Sequence, residues 1–332
     1  MEARLVKSVT NGSFVEFINT VIDADRRSGH YGQANKNTSA RNSLLLFLAS
    51  LGIDDIGIDD ISQSLIHSYQ SWMYGHGLKR NSTSCYMRAL QSIYNRAIVQ
   101  TGCQDHRPFG TVYRGVAKTR KRAASIDVVR LLQRADIRSA LIEYGFNPNL
   151  KHFQIRLDNL CMARDWFLFS YCARGMSFVD MVYIQKQDVS QNIIYYKRKK
   201  TGQPMSVAIS PMMHDIINRY APYTVNTPYL LPIIKSDDAL IAYKQYRTAL
   251  RSLNLNLKML ARVIGTDVML SSYVARHSWA SHMYQQSQPI GIISQGLGHD
   301  SIMTTQIYIK ALDDDIIHRA NDEFLKNIFN RP

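Results

Sequence analysis

The chain has 332 residues, 45% of them hydrophobic, which is enough to bury two cores of ordinary size and argues against disorder. Forty Lys and Arg against 26 Asp and Glu give a formal charge of +14. That excess favours a polyanionic partner over a basic protein with no special partner, because each phosphate neutralised releases condensed counterions. Cys85, Cys103, Cys161 and Cys172 show neither CxxC spacing nor pairing with nearby histidines, which argues against a zinc site and for reduced thiols. The apolar run at Leu44 to Leu48 is too short to span a bilayer. No charged-then-apolar leader opens the chain, so a cytoplasmic location is expected.

Phe14, Phe17, Ile18, Val21 and Ile22 recur at helical spacing and predict a first helix. A second is expected from about Ser39 to Ser50, and a third from Asp60 through Tyr74, ending at Gly75 and Gly77. The fourth is expected to begin after Asn81-Ser82-Thr83, which has good capping chemistry, and to turn Tyr86, Leu90, Ile93, Tyr94, Ala97 and Ile98 inward. Its polar face carries Arg88, Gln91, Asn95 and Arg96; this is either a solvent face or, through Arg88, a reader of a DNA groove. The expected first domain is a compact all-α module over residues 1–105.

The helical pattern lapses between His106 and Ser125, with Pro108, Gly110 and Gly115, and residues 106–124 read as a linker. Lys118-Thr119-Arg120-Lys121-Arg122 places four cations in five residues there, suited either to a DNA backbone or to plain solvation. Helical periodicity resumes at Ile126 and opens a second domain, 125–332. Ile193-Ile194-Tyr195-Tyr196 and Met205-Ser206-Val207-Ala208-Ile209 flank a glycine-containing turn and predict a β-hairpin. Near the C-terminus, Ile316, Ile317, Ala320, Phe324, Leu325, Ile328 and Phe329 form an amphipathic stripe. It packs either on its own domain or on a neighbouring copy.

The chemistry concentrates between Ala275 and Tyr308. Ala275-Arg276-His277-Ser278 is followed by Leu297-Gly298-His299 and then by Thr304-Thr305-Gln306-Ile307-Tyr308. An arginine, an imidazole and a phenol at these intervals suit convergence on one phosphate. The arginine neutralises non-bridging oxygens, the imidazole donates a hydrogen bond, and the phenol attacks phosphorus.

This pattern resembles the tyrosine recombinase (phage integrase) family over essentially the whole chain. The resemblance implies a mainly α fold with a small β-sheet or hairpin in the catalytic domain. It also implies a two-domain DNA clamp with a helical, SAM-like core-binding domain. Within it, Arg174 in Tyr171-Cys172-Ala173-Arg174-Gly175 matches the first family arginine, and Lys200 before Thr201-Gly202 matches the hairpin lysine that protonates the leaving 5′-oxygen. Arg276 matches the second arginine, His299 the later His/Trp position, and Tyr308 the nucleophile. Lys199 is the residue most easily confused with Lys200; adjacent strand residues face opposite ways, so one of the two should point at the phosphate.

Tyr273 stands where the family usually has a histidine. A phenol with an ordinary pKa near 10 is a poor base at neutral pH, though it can hydrogen-bond to phosphate or relay a proton. The proton acceptor is therefore left unassigned. Asp180 lies six residues after Arg174, longer than the family spacing for its structural carboxylate, and is not read as catalytic.

The reaction implied is site-specific recombination of double-stranded DNA through a 3′-phosphotyrosine, needing no metal, nucleotide or other cofactor. The outcome would be integration, excision or inversion. Four protomers on two duplexes are implied, with room for an accessory DNA-bending protein and no membrane partner. A nucleoid-associated protein of prokaryotic, phage or mobile-element type fits. A type IB topoisomerase-like enzyme and a non-catalytic DNA-binding regulator of the same fold are the alternatives.

Overall fold

The computed structural model describes residues 12–117, 122–306 and 314–329, and the chain divides near residue 119 into two compact units. Tyr308, Lys118, Arg120 and Lys121, expected above to be functional, lie outside the described residues.

The first unit is built on four helices: α1 (Phe14–Arg27), α2 (Tyr31–Ser50), α3 (Gln63–Gly75) and α4 (Arg80–Thr101). Ser13 caps α1 by accepting from the Glu16 amide, and Phe14, Ile18, Val21 and Ile22 face inward. Ser62 caps α3 through the Leu65 amide. Helix α2 starts eight residues before the sequence suggests, because Asn37 in its polar first half is buried with partners. Asn37 accepts from Gln33 and donates to Asp25, and Ala34 and Ala40 are fully covered.

Helix α4 also starts early, so Asn81-Ser82-Thr83 sit within its first turn and do not cap it. Their neighbourhood serves a different purpose. Asn81 exchanges two hydrogen bonds with the Ala117 backbone, and Ser84 donates to the Gly115 carbonyl. Phe109 and Val112 insert into the same core. Residues 106–117, which read as linker, thus pack on the helical unit up to the edge of the basic run. Arg88, Asn95 and Arg96 are exposed along α4.

The second unit contains α5 (Ile126–Arg134), α6 (Ile137–Glu143), α7 (Lys151–Cys172), α8 (Phe178–Val182), α9 (Pro211–Tyr220), α10 (Ala239–Val263), α11 (Ser272–Gln285), α12 (Ile290–Leu297), α13 (Ile302–Gln306) and α14 (Asp314–Phe329). Between α8 and α9 lies a three-stranded antiparallel sheet in sequential order: β1 (Val189–Ser190), β2 (Ile193–Lys197) and β3 (Pro204–Ala208). Ile194 and Val207 pair across the hairpin and are both buried, so alternation puts one face of the sheet on the core.

Helices α7 and α11 run through the centre and are buried on more than one side. Such helices need their polar groups satisfied inside the protein. On α11, Ser278 donates to the Val274 carbonyl and accepts from the Ala124 amide. His282 bonds the Ala124 carbonyl at 2.9 Å and the Tyr171 hydroxyl at 2.9 Å, and burial pushes its pKa down. The chain leaving the basic run is thereby fixed to the helix that carries Arg276.

Candidate active site

Two left-handed residues in succession reverse the chain after α7: Arg174 at φ 57° and Gly175 at φ 68°. A non-glycine residue there is strained, and such strain persists only where the surroundings enforce it. Ser170 enforces it here, accepting the Met176 amide on its carbonyl and donating its hydroxyl to the Met176 carbonyl. Arg174 is left exposed and makes no hydrogen bond or ion pair among the described residues. Gly175 is needed for a second reason. A Cβ at this position would sit 2.7 Å from the Arg276 Cα, so the missing side chain lets α11 press against the turn.

Arg276 is 3% exposed and reaches across three elements. Its Nη1 donates to the Gly175 carbonyl at 2.8 Å, and its Nη2 donates to the Leu297 carbonyl at 2.5 Å. The same Nη2 lies 3.1 Å from His299 Nε2. Guanidinium has no acceptor, so His299 Nε2 must accept here and its proton must lie on Nδ1. Nδ1 then donates to Thr305 Oγ1 at 2.9 Å, on fully buried α13 side-chain ground three residues before Tyr308. Burial first, and then Arg276, Arg198 and Lys200, lower the His299 pKa from 6.5 to about 4, so the imidazole is neutral at physiological pH.

His299 is delivered by the end of α12. Gly298 takes φ 64° at that end, and the His299 amide returns to the Ser294 carbonyl at 3.0 Å, closing the helix in the usual glycine-terminated way. Gly298 also lacks a side chain for a packing reason: a Cβ would meet Met205 Sδ at 2.7 Å and Arg198 Cδ at 2.8 Å. The lysine-bearing hairpin therefore lies directly on the corner that presents His299.

In that hairpin Lys197, Lys199 and Lys200 are exposed, while Arg198 between them is buried. Lys199 Nζ sits 4.5 Å from the centre of the Tyr183 ring, and Lys200 is close enough to His299 to help depress its pKa. The two lysines thus point to different places, with Lys200 on the side of the imidazole. Tyr196, on the same hairpin, has its pKa raised to about 12 by burial and by Asp180, against the pull of Arg276, Arg198 and Arg174. That one phenol feels all three arginines, which gathers Arg174, Arg198 and Arg276 into one neighbourhood.

Tyr273 stands half-exposed on the first turn of α11, its ring edge-on to His277 at 5.3 Å between centres. His277 is buried. Arg122 lies on the second unit, its Nη1 3.0 Å from Met269 Sδ. Arg88 belongs to the other unit.

Two residues at this site were not read as functional from the sequence. Asp180 accepts from the Ser177 hydroxyl at 2.6 Å and from the Lys199 amide at 2.7 Å, and its Oδ2 lies 3.9 Å from Arg198 Nε. Arg198 also donates to the Gly298 carbonyl. The available signal for Arg198 was its position just past a strand whose alternate residues face the core.

A buried arginine held by main-chain carbonyls, a strained and exposed second arginine, a neutral imidazole and a lysine-tipped hairpin define a domain that handles phosphodiesters by fixed positive charge. Known proteins agree. Residues 169–314 match the family model described as "Phage integrase family", and residues 13–113 match "Phage integrase SAM-like domain". The tyrosine recombinase XerD of Rhizobium meliloti (strain 1021) is 27% identical over 277 residues, covering 81% of each chain. XerC of Neisseria gonorrhoeae is 40% identical over 77 residues, 23% of this chain and 25% of that one. Among solved structures, a lambda integrase(75-356) dimer bound to a COC′ core site superposes with a TM-score of 0.61 at 13% identity, covering 90% of this chain and 95% of that one. XerH bound to palindromic difH substrate gives 0.58 at 14% identity, over 92% and 83%. The chain belongs to the phage integrase family, the tyrosine recombinases.

Proposed function

We propose that this tyrosine recombinase cuts and rejoins double-stranded DNA at specific sites, with Tyr308 as nucleophile. Its hydroxyl oxygen attacks the scissile phosphorus and gives up its proton to water, the bond to the 5′-oxygen breaks, and a 3′-phosphotyrosine forms. Arg174 and Arg276 hold the non-bridging oxygens, and Lys200 gives its proton to the departing 5′-oxygen. A 5′-hydroxyl from the partner duplex then reverses the step. The ester conserves the bond energy, so the residues named supply the charge and the proton without a nucleotide or a metal.

The observation that carries this reading is the setting of Arg276. It is buried, fixed by the Gly175 and Leu297 carbonyls, and shares Nη2 with His299. Fixed donors of this kind are worth about 3–4 kcal/mol each when charge develops in a transition state. His299 also bonds Thr305, so α13 is tied to the same cation. Tyr273, one helical turn ahead of Arg276, supplies a phenol hydrogen bond to the phosphate.

The exposed face of α4 with Arg88, and the run from Lys118 to Arg122 with Lys199 on the hairpin, are the proposed DNA contacts. Assembly is proposed to be a tetramer on two duplexes, as in the lambda integrase tetramer bound to a Holliday junction. Phe324, Leu325, Ile328 and Phe329 of α14 are exposed in the single chain, which supports docking of this helix on a neighbouring protomer. A cytoplasmic protein of a mobile element is the setting that fits.

The test is a nicked suicide substrate that traps the covalent complex. Wild-type chain forms an adduct and Tyr308→Phe forms none; an undiminished adduct in Tyr308→Phe refutes this nucleophile.

A further inference from the structure

We propose that Arg198 is a positioning residue for Lys200, holding the hairpin turn in register with Arg276 so that the lysine meets the departing 5′-oxygen. The proposal rests on the reading of Lys200 as proton donor.

Arg198 is anomalous within its run. Lys197, Lys199 and Lys200 are exposed, whereas Arg198 is 9% exposed. Burying a guanidinium is costly, and an apolar residue would fill the space more cheaply, so its polar bonds need a use. Those bonds are directional. Nη1 donates to the Gly298 carbonyl, and Nε faces Asp180 Oδ2 at 3.9 Å. The other Asp180 oxygen accepts the Lys199 amide at 2.7 Å, so one carboxylate braces both the side chain of Arg198 and the backbone of the next residue.

The backbone of Arg198 closes the turn as well. Its amide donates to the Gln203 carbonyl at 2.9 Å, and its carbonyl accepts from Gly202 at 2.8 Å. Lys200 lies inside the loop that these two bonds define. Where Arg198 sits therefore decides where the base of Lys200 sits.

The register is set by one corner of main chain. Leu297 and Gly298 present successive carbonyls; the first accepts from Arg276 and the second from Arg198. The guanidinium that holds the phosphate and the guanidinium that holds the lysine turn are thus gauged against adjacent peptide groups. Gly298 makes this approach feasible, because a Cβ there would stand 2.8 Å from Arg198 Cδ.

A positioning role predicts a defect confined to proton delivery, and the leaving atom reports it. In a substrate whose 5′-bridging oxygen is replaced by sulfur, the P–S bond breaks with its electron pair on sulfur. A thiol pKa near 8.5 lets the thiolate depart without Lys200. Single-turnover cleavage by the full chain is measured on both substrates. Lys200→Ala loses about 10²–10⁴-fold on oxygen and regains near-wild-type rate on sulfur. Arg198→Met is expected to show the same pattern, losing about 10–100-fold on oxygen and falling within about threefold of wild type on sulfur. Arg198→Lys, which has one ammonium for two directions, should recover part of the oxygen rate.

Equal losses by Arg198→Met on both substrates would overturn the proposal in favour of a DNA-binding or purely structural role, and an unchanged oxygen rate would also overturn it. Should Arg198→Met not fold, Arg198→Gln, which keeps a single donor there, must give the oxygen-selective loss. If Lys200→Ala itself is not rescued by sulfur, the proton-donor reading fails, and the proposal falls with it for that separate reason.

Discussion

Gly175→Ala probes whether the two arginines proposed to bind phosphate are placed by one close backbone contact. The added methyl carbon would lie 2.7 Å from the Arg276 Cα, 3.0 Å from its Cγ and 3.1 Å from its Cβ. The first of these is backbone of a central helix and cannot swing away. Reaching ordinary van der Waals distance requires α11 and the turn after α7 to part by about 0.7 Å. Alanine at φ 68° adds about 1–2 kcal/mol of conformational cost. Overpacking of a tight interior adds about 1–3 kcal/mol. The second unit should therefore lose about 2–5 kcal/mol of stability. More telling is the effect on rate, since displacement of a catalytic group by about 1 Å costs about 10²-fold.

Gly265→Ala is the matched control. It has nearly the same φ, 71°, in the same unit, but a Cβ there meets nothing within 4 Å. It should cost about 1–2 kcal/mol of stability and leave cleavage unaltered. Thermal unfolding of the full chain and single-turnover cleavage of a suicide substrate give the two readouts. If Gly175→Ala cleaves within about threefold of wild type and is no less stable than Gly265→Ala, the contact does not place the arginines and the geometric argument is wrong.

Three further outcomes are expected. NMR titration of the free chain should find His299 neutral until the pH approaches 4; since its folded pKa lies below the unfolded 6.5, the stability it contributes is present above pH 6.5 and is lost as pH falls toward 4. A midpoint near 6.5 would contradict the arginine-facing tautomer. Replacing Lys118, Arg120, Lys121 and Arg122 by Gln should make the slope of log K for DNA against log salt shallower by about 3–4 if all four meet phosphates; an unchanged slope places them in solvent. Tyr273→His should introduce an ionisation near pH 6.5 into the cleavage-rate profile, as expected for a new proton acceptor one turn before Arg276; a profile identical to wild type argues that this position does not reach the reacting hydroxyl.

Much of the site was legible because its residues are fixed by local spacing. Gly298 ends α12, His299 follows it, and α13 begins at Ile302, so the interval from Arg276 onward is set by short elements with clear signals. The hairpin was equally readable from its β-branched strands. What sequence did not yield depends on partners far along the chain. Arg198 looks like any cation in a basic run until Gly298, one hundred residues on, supplies an acceptor. Asp180 seemed too distant in sequence from Arg174, yet the turn through Ser177 folds it back beneath the hairpin. The early starts of α2 and α4 escaped for the related reason that buried Asn37 and half-buried Asn81 are satisfied by side-chain and backbone partners.

The way the arginines are held also separates catalysis from simple stability. Asp165, in the same unit, is 2% exposed and accepts from Arg164, Arg219 and Tyr220, so the cations around it are neutralised by a carboxylate. Arg276 is treated differently. The Gly175 and Leu297 carbonyls and the His299 imidazole orient its guanidinium. Asp180, the nearby carboxylate, is turned to the Ser177 hydroxyl, the Lys199 amide and Arg198. A buried guanidinium is expensive for a fold that only needs to be stable. It becomes economical when a phosphate arrives, because orientation is already complete and the attraction acts in a poorly screened site. The depressed pKa of His299 has burial as its first cause, and the Arg276, Arg198 and Lys200 charges that add to it are of the sign that draws in a phosphodiester.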